Sequence, residues 1–327
     1  MRWMAVALLA LSPAAHAAEW RVERIDTPAR VTAIETIDGA ARVDAGGLWY
    51  SVDLSGPQAK LAFMDTPRRQ PSPENALPDG RVVTGTHDIA RVWLAAPTKR
   101  YDHNVLGDAI EAGSLMIVST DGASHTVRLG DDAVFEDLTP RLADLDGDGR
   151  DEVIVVKSYL DRGSAIAVIA WRDGRYRIVA ETPPLGGPHR WENPAGIADF
   201  NGDGKMDIAV VRQPHVVGAL ELWTYADGRL QRGASLDGFS NHISGSRALG
   251  MSAVADFDGD GTPDLVLPSR DHASLRIVAF KPVAQEIDSI KLPSDARTDL
   301  GVIKRDGAAP AMLAGLADGS LVVIRRD

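Results

Sequence analysis

Cysteine is absent from all 327 residues. A chain without disulfides must hold itself together by core packing or by bound metal. Positive charge is scarce as well. The 35 Lys and Arg are outnumbered by 46 Asp and Glu, a formal net charge of −11, which makes nucleic acid and anionic membrane surfaces poor partners. No apolar run reaches membrane-spanning length, and no long segment carries a helical period. Also missing are a G-x-S-x-G nucleophile turn, an H-E-x-x-H metalloprotease helix, a phosphate-binding glycine loop and a dinucleotide fingerprint. His and Cys clusters of the kind that select zinc or copper are not present.

The first residues have the order of an export leader. Arg2 gives a positive start, Met4 to Leu11 an apolar centre, and Ala15-His16-Ala17 a small-x-small cleavage pattern ahead of Ala18. Residues 1–17 are therefore expected to be removed, leaving a mature chain from about Ala18 in the periplasm or outside the cell. With no Cys near the cleavage point a lipid anchor is not expected, and neither is stable membrane insertion. Residues 18–327 are expected to form one domain. A chain of that length exceeds the usual single-core size unless repeating units each pack on their neighbours.

Self-similarity is plain in the middle of the chain. Ala143-Asp144-Leu145-Asp146-Gly147-Asp148-Gly149, Ala198-Asp199-Phe200-Asn201-Gly202-Asp203-Gly204 and Ala255-Asp256-Phe257-Asp258-Gly259-Asp260-Gly261 align without gaps, and their first Asp residues lie 55 and 57 apart. An acid and a short β-type run follow each. Examples are Glu152-Val153-Ile154-Val155-Val156 and Asp207-Ile208-Ala209-Val210-Val211. Two more strands then come, joined by Asp173-Gly174 or Asp227-Gly228 turns of the hairpin type. Four short strands per unit describe a blade of an all-β propeller. A β-sandwich with metal loops is the alternative.

The flanks carry the strand pattern without the acidic loop. Ala90 to Ala95, Gly107 to Glu111, Ser114 to Ser119 and His125 to Gly130 fit a unit that has lost it, Val31 to Met64 could form another, and Thr298 to Arg326 supply three further strands. Glu19 to Ile25 would complete the last unit and close the ring. Six blades follow, or seven if the Pro- and Arg-rich stretch Asp65 to Arg91, read as an exposed loop, hides strands.

Each acidic loop can deliver the six to eight oxygens that calcium takes. Positions 1, 3 and 5 carry carboxylate or amide side chains, position 6 is a Gly for the reversal, position 7 offers a carbonyl, and the acid at position 9 closes the cage. The candidate ligands of the first loop are Asp144, Asp146, Asp148, the Arg150 carbonyl and Glu152. The second uses Asp199, Asn201, Asp203, the Lys205 carbonyl and Asp207. The third uses Asp256, Asp258, Asp260, the Thr262 carbonyl and Asp264. Carboxylates crowded this closely repel one another unless a cation lies between them, so Ca2+ is expected at about three sites. The first loop fits least well, because Asp151 competes with Glu152 for the closing position. A strand follows each loop rather than a helix, which excludes a helix–loop–helix sensor.

The motif D-x-[DN]-G-D-G-x-x-[DE] before an apolar strand resembles the FG-GAP/VCBS repeat of integrin α propeller heads and many exported bacterial proteins. The resemblance covers Pro140 to Leu292 and only the acidic half of the family motif; the Phe-Gly and Gly-Ala-Pro signatures are not recognisable. It implies a propeller with its calcium hairpins on one face and says little about function, since the fold hosts adhesion, binding and catalysis alike.

Loops leading into the acidic hairpins are polar and aromatic, and in a propeller such loops meet at one end of the channel. A ligand pocket would draw on His103, His189, Arg190, Trp191, Asn193, His242 and Arg247; ordinary loop capping and packing is the other explanation of the same residues. The function expected is a binding, adhesion or scaffolding module for a protein or glycan partner rather than an enzyme. A carbohydrate-active lyase or other hydrolase is the alternative.

Overall fold

The computed structural model describes residues 19–37, 40–66 and 71–326. The expected leader lies outside them. The described residues contain no helix; they form 25 strands. In chain order these are β1 (Trp20–Ile25), β2 (Val31–Ile37), β3 (Ala40–Ala45), β4 (Leu48–Asp53) and β5 (Lys60–Met64). Then come β6 (Val83–Thr84), β7 (Ile89–Thr98), β8 (Glu111–Ser119), β9 (Ser124–Arg128) and β10 (Ala133–Phe135). The repeat region holds β11 (Arg141–Ala143), β12 (Glu152–Tyr159), β13 (Gly163–Arg172) and β14 (Arg175–Glu181), then β15 (Glu192–Ala198), β16 (Asp207–Arg212), β17 (Ala219–Ala226) and β18 (Arg229–Asp237). It ends with β19 (Ala253–Ala255), β20 (Asp264–Pro268), β21 (Ser274–Ala279) and β22 (Gln285–Lys291), and the chain finishes with β23 (Ala296–Arg305), β24 (Ala308–Leu316) and β25 (Leu321–Arg326).

All pairings are antiparallel, and all join successive strands except those of β10 with β8 and β12 and that of β1 with β25. β1 pairs with β25, Trp20 opposite Arg326 and Ile25 opposite Leu321, so the two ends of the chain share the sheet β1-β25-β24-β23. Sheets β2–β5, β15–β18 and β19–β22 are four-stranded meanders; the remaining nine-stranded sheet is two such units, β6–β9 and β11–β14, bridged by β10. This gives six four-stranded units. Five of them meet at one axial cavity, lined by residues before β6, in β11 and β15, just before β19 and in β23.

Burial explains the strand sequences. Second strands are covered on both faces, which is why they read as unbroken apolar runs; Val153, Ile154, Val155 and Val156 are all fully buried. Fourth strands are half exposed and alternate, as β18 does. The third-to-fourth turns Asp173-Gly174 and Asp227-Gly228 have positive φ at both residues, the backbone that Asp-Gly favours in two-residue hairpins. Near the axis the strands are crowded: a Cβ on Gly196 would lie 2.5 Å from Val254 Cγ2. Four hydrophobic clusters lie between neighbouring units, and the largest runs from the β6–β9 unit through β12 and β13 to Trp223 and Tyr225 of the fourth unit.

Two sequence readings need correction. The stretch from Asp65 to Arg91 is not simply an exposed loop: it contains β6, Ala76 pairs with Ala95, and Leu77 is completely buried. Its proline and arginine content hid a short inner strand. Gly107 to Glu111 is not a separate strand either; Glu111 opens β8, and the preceding residues belong to a long connection from β7.

Candidate functional site: acidic loops at one end, a histidine-lined end at the other

In a four-stranded meander the first-to-second and third-to-fourth connections share one end, and the remaining connections share the opposite end. All three acidic loops are first-to-second connections, β11–β12, β15–β16 and β19–β20, so they lie on the same face of the ring. Each is built around its first Asp. Asp144 Oδ1 accepts from the Gly147 and Asp148 amides at 2.8 and 3.1 Å, and its Oδ2 accepts from Gly149 at 2.9 Å. Asp199 accepts from Asp203 and Gly204, and Asp256 from Gly259 and Gly261, in the same manner. Both glycines of every loop adopt positive φ, between 73° and 87°. The sequence argument asked this only of the second.

Carboxylate oxygens of Asp144, Asp146 and Glu152 come within 4.8 Å of one another, as do those of Asp256, Asp258 and Asp260, close enough to share one metal ion. In the second loop position 3 is Asn201, and the sign of an incomplete site is different. Asp207 is fully buried, one of its oxygens accepts from Thr224 Oγ1, and the other, Oδ2, has no partner. A buried carboxylate oxygen without a donor is what a cation would satisfy. The closing acids are costly to ionise as they stand. Burial, with Asp146 and Asp148 adding to it, raises Glu152 to about 7, and burial with Asp258 and Asp256 raises Asp264 to about 7.

The question of Asp151 against Glu152 is resolved by the contacts. Glu152 Oε2 accepts from the Leu145 amide at 2.9 Å and faces the loop, while Asp151 turns away to His87 Nδ1 at 2.8 Å. The short turn of the second unit, which has no acidic loop, clamps the first loop instead: Asp88 accepts from the Asp151 amide and from Arg150, both at 2.8 Å. Arg172, which sequence reasoning did not single out, reaches Asp146 at 2.6 Å and Asp148 at 3.7 Å, so this loop already carries a partial counter-charge.

At the opposite end the polar loops do converge, but mostly onto one another. His103 Nδ1 donates to Glu136 at 2.6 Å and its ring stacks on His189 at 5.2 Å; His189 Nε2 contacts Asp102 at 3.1 Å. Trp191 Nε1 donates to the Glu136 carbonyl at 3.0 Å, and the indole packs on His242 and His215 at 4.7 and 6.2 Å. The Ser246 carbonyl can only accept, so His242 Nε2 carries the proton in their 3.0 Å bond, and His242 Nδ1 accepts from His215 Nε2 at 2.9 Å. Asn193 and Asn241 exchange amide bonds at 3.2 Å, joining neighbouring units. Arg190 bonds the Leu185 carbonyl, and Arg247 bonds Asp79 and Asp108.

Of the seven expected pocket residues, Trp191, Asn193 and His242 are buried and offer no surface to a ligand. Trp191 Nε1, Asn193 Nδ2 and the His242 ring tie loops together, which is the capping and packing that the sequence offered as the other explanation of these residues. His103 and His189 sit side by side at the rim. Only Arg247 lines the axial cavity, of about 410 Å³, together with Arg81, Arg141 and Asp299. Burial raises Asp299 to about 6, and burial lowers His242 to about 3 and raises Glu111 to about 9. His215 and His272 join the network and carried no sequence signal beyond their type.

Comparison with known proteins gives one sequence match. The model of the FG-GAP-like repeat matches residues 144–210 and 199–267, less than half of the chain. No significant match was found among curated proteins. Solved structures of similar shape include BBS1N in complex with ARL6DN in a mercury-soaked crystal (12% identity, TM-score 0.43, covering 88% of this chain and 74% of that one). Another is rhamnogalacturonan lyase YesW (16% identity, TM-score 0.44, covering 92% of this chain and 60% of that one). The segments matched by sequence are the blades that carry the acidic loops, so residues 144–267 of this all-β, propeller-like chain are similar to FG-GAP-like repeats.

Proposed function

We propose that the protein is an exported, calcium-loaded β-propeller that acts as a rigid binding module for a protein or glycan partner. The observation that supports this most is the division of labour between the two ends of the ring. Acidic loops occupy one end, and at the other an axial cavity is rimmed by Arg81, Arg141 and Arg247. Asp144, Asp146, Asp148 and Glu152, with the corresponding residues of the other two loops, would hold the ions. Calcium suits them because the donors are all hard oxygens, whereas magnesium demands a tighter octahedron. The ion would supply charge neutralisation and crosslinking, fixing the first-to-second turns of three adjacent blades.

Binding rather than turnover is favoured by how the histidines are spent. His242 is neutral, fully buried and bonded at both ring nitrogens, and His103 is bonded to a buried glutamate. Export is favoured by the leader-like start. Among the described residues no helix is long and apolar enough to cross a membrane. The test is a glycan and protein array probed with the calcium-loaded protein and with an Arg247→Ala variant. The guanidinium of Arg247 is 55% exposed over the cavity, so its loss should weaken capture by about thirtyfold, the level of an interface hot spot. Hydrolysis or lyase products from any arrayed glycan would replace this reading with an enzymatic one.

A further inference from the structure

Away from the axis, a second cleft opens between the third and fourth blades at the histidine-lined end. Its volume is about 260 Å³, below the roughly 300–1,000 Å³ of sites for drug-sized ligands. One wall is the connection after β14, Thr182 to Leu185, with two prolines. The other is the face of the fourth blade, where Glu192 and Arg212 are directly paired across β15 and β16 and Glu221 and Trp223 follow on β17.

The polar groups here are buried and incompletely used. Glu192 is 2% exposed and its Oε1 has no hydrogen-bond partner; Arg212 Nε is likewise buried without an acceptor. Glu221, by contrast, is fully engaged: it accepts from Arg232 at 2.9 Å and from Trp223 Nε1 at 3.2 Å, and Arg212 approaches at 3.7 Å. Two guanidinium groups and two carboxyl groups therefore meet in the cleft, and of the carboxyl groups only Glu221 is satisfied. Two guanidinium groups beside the cleft disfavour a metal cation, and the unpaired Arg212 Nε–H is satisfied better by an anionic acceptor than by a neutral one. A carboxylate would accept from Arg212 Nε and from the Glu192 carboxyl in its acid form, with its body against Trp223 and Pro184.

We propose that this cleft between the third and fourth blades binds a small organic monocarboxylate of sugar-acid or hydroxy-acid size. The protonation state agrees. Burial, reinforced by Glu221 and opposed by Arg212, pushes Glu192 up to about 8. The charged groups facing it are Glu221, Arg212 and Arg232, with the Thr182 and Ser164 hydroxyls beside it. At neutral pH Glu192 is thus a donor, and the cleft carries one net positive charge.

The probe is D-glucuronate, with D-glucose as its uncharged counterpart, titrated into the calcium-loaded full mature chain by calorimetry and by the Trp223 indole N–H resonance. D-Glucuronate should bind at least tenfold more tightly than D-glucose. Arg212→Gln should weaken it by about tenfold, the scale of a charge-assisted hydrogen bond, and the more exposed Arg232→Ala by about threefold, because it removes the second positive charge of the cleft. Affinity should fall as pH rises through about 8, when Glu192 ionises and repels the ligand, and Glu192→Gln should bind with that pH dependence abolished. Equal binding of the two sugars, no binding of D-glucuronate by the wild type, or an unaltered Arg232→Ala protein whose melting curve matches the wild type, overturns the assignment.

Discussion

Trp191 shows what a residue's surroundings decide that its type does not. An aromatic in a polar loop at a propeller's end looks like a ligand platform, yet here its indole is 2% exposed, wedged on two histidines and bonded to the Glu136 carbonyl. Trp191→Ala should cost about 3–5 kcal/mol of stability, as large-to-small changes in a packed core do. Denaturant melts of the variant check this. The neighbouring His242 gives a pH prediction. Its pKa lies below the unfolded value of about 6.5 because burial penalises the charged ring. The stability it contributes is therefore complete above about pH 6.5 and is lost as pH falls from there toward about 3, at up to roughly 1.4 kcal/mol per pH unit for one proton. His242→Asn should flatten that part of the stability–pH curve. An acid limb identical to wild type would show that the ring does not titrate in this window.

At the scale of the element, repetition made the sequence legible. The acidic loops, the apolar second strands and the Asp-Gly hairpins recur with nearly constant spacing, and each recurrence strengthens the others. What was hidden lacks that redundancy. β6 is two residues long and sits behind a proline-rich approach, so neither alternation nor an acidic loop marked it. The cleft between the third and fourth blades was invisible for another reason: Glu192, Arg212 and Glu221 are adjacent only through strand register, which sequence spacing cannot supply. The closing strand was anticipated because the last unit was one strand short. Its importance can be measured. β1 covers the β25 edge, and Trp20 reaches the preceding blade through Asp288 at 2.7 Å and Phe257 at 6.3 Å. Deleting residues 19–25 leaves that edge unpaired, and the truncated chain should aggregate or melt many degrees lower. A soluble product with an unchanged melting curve would mean the strand contributes little.

For the molecule as a whole, the units stand only together. The largest hydrophobic cluster spans three of them, from Leu77 to Tyr225, so a chain divided at Gly187 should give two halves that do not fold separately. The acidic face makes the same point electrostatically. Three loops bring clustered carboxylates to one end of a disulfide-free ring, with closing acids that burial holds near their neutral form. A cation bound only by the folded ring stabilises it by about 2.7 kcal/mol per site at a hundredfold excess over its dissociation constant. The most direct test is thermal unfolding of the mature protein stripped with a chelator, then repeated with calcium or magnesium restored. A calcium-loaded propeller predicts a melting temperature several degrees lower in chelator, recovered by calcium and much less by magnesium. Superimposable curves in all three conditions, with metal removal verified by elemental analysis, would contradict it.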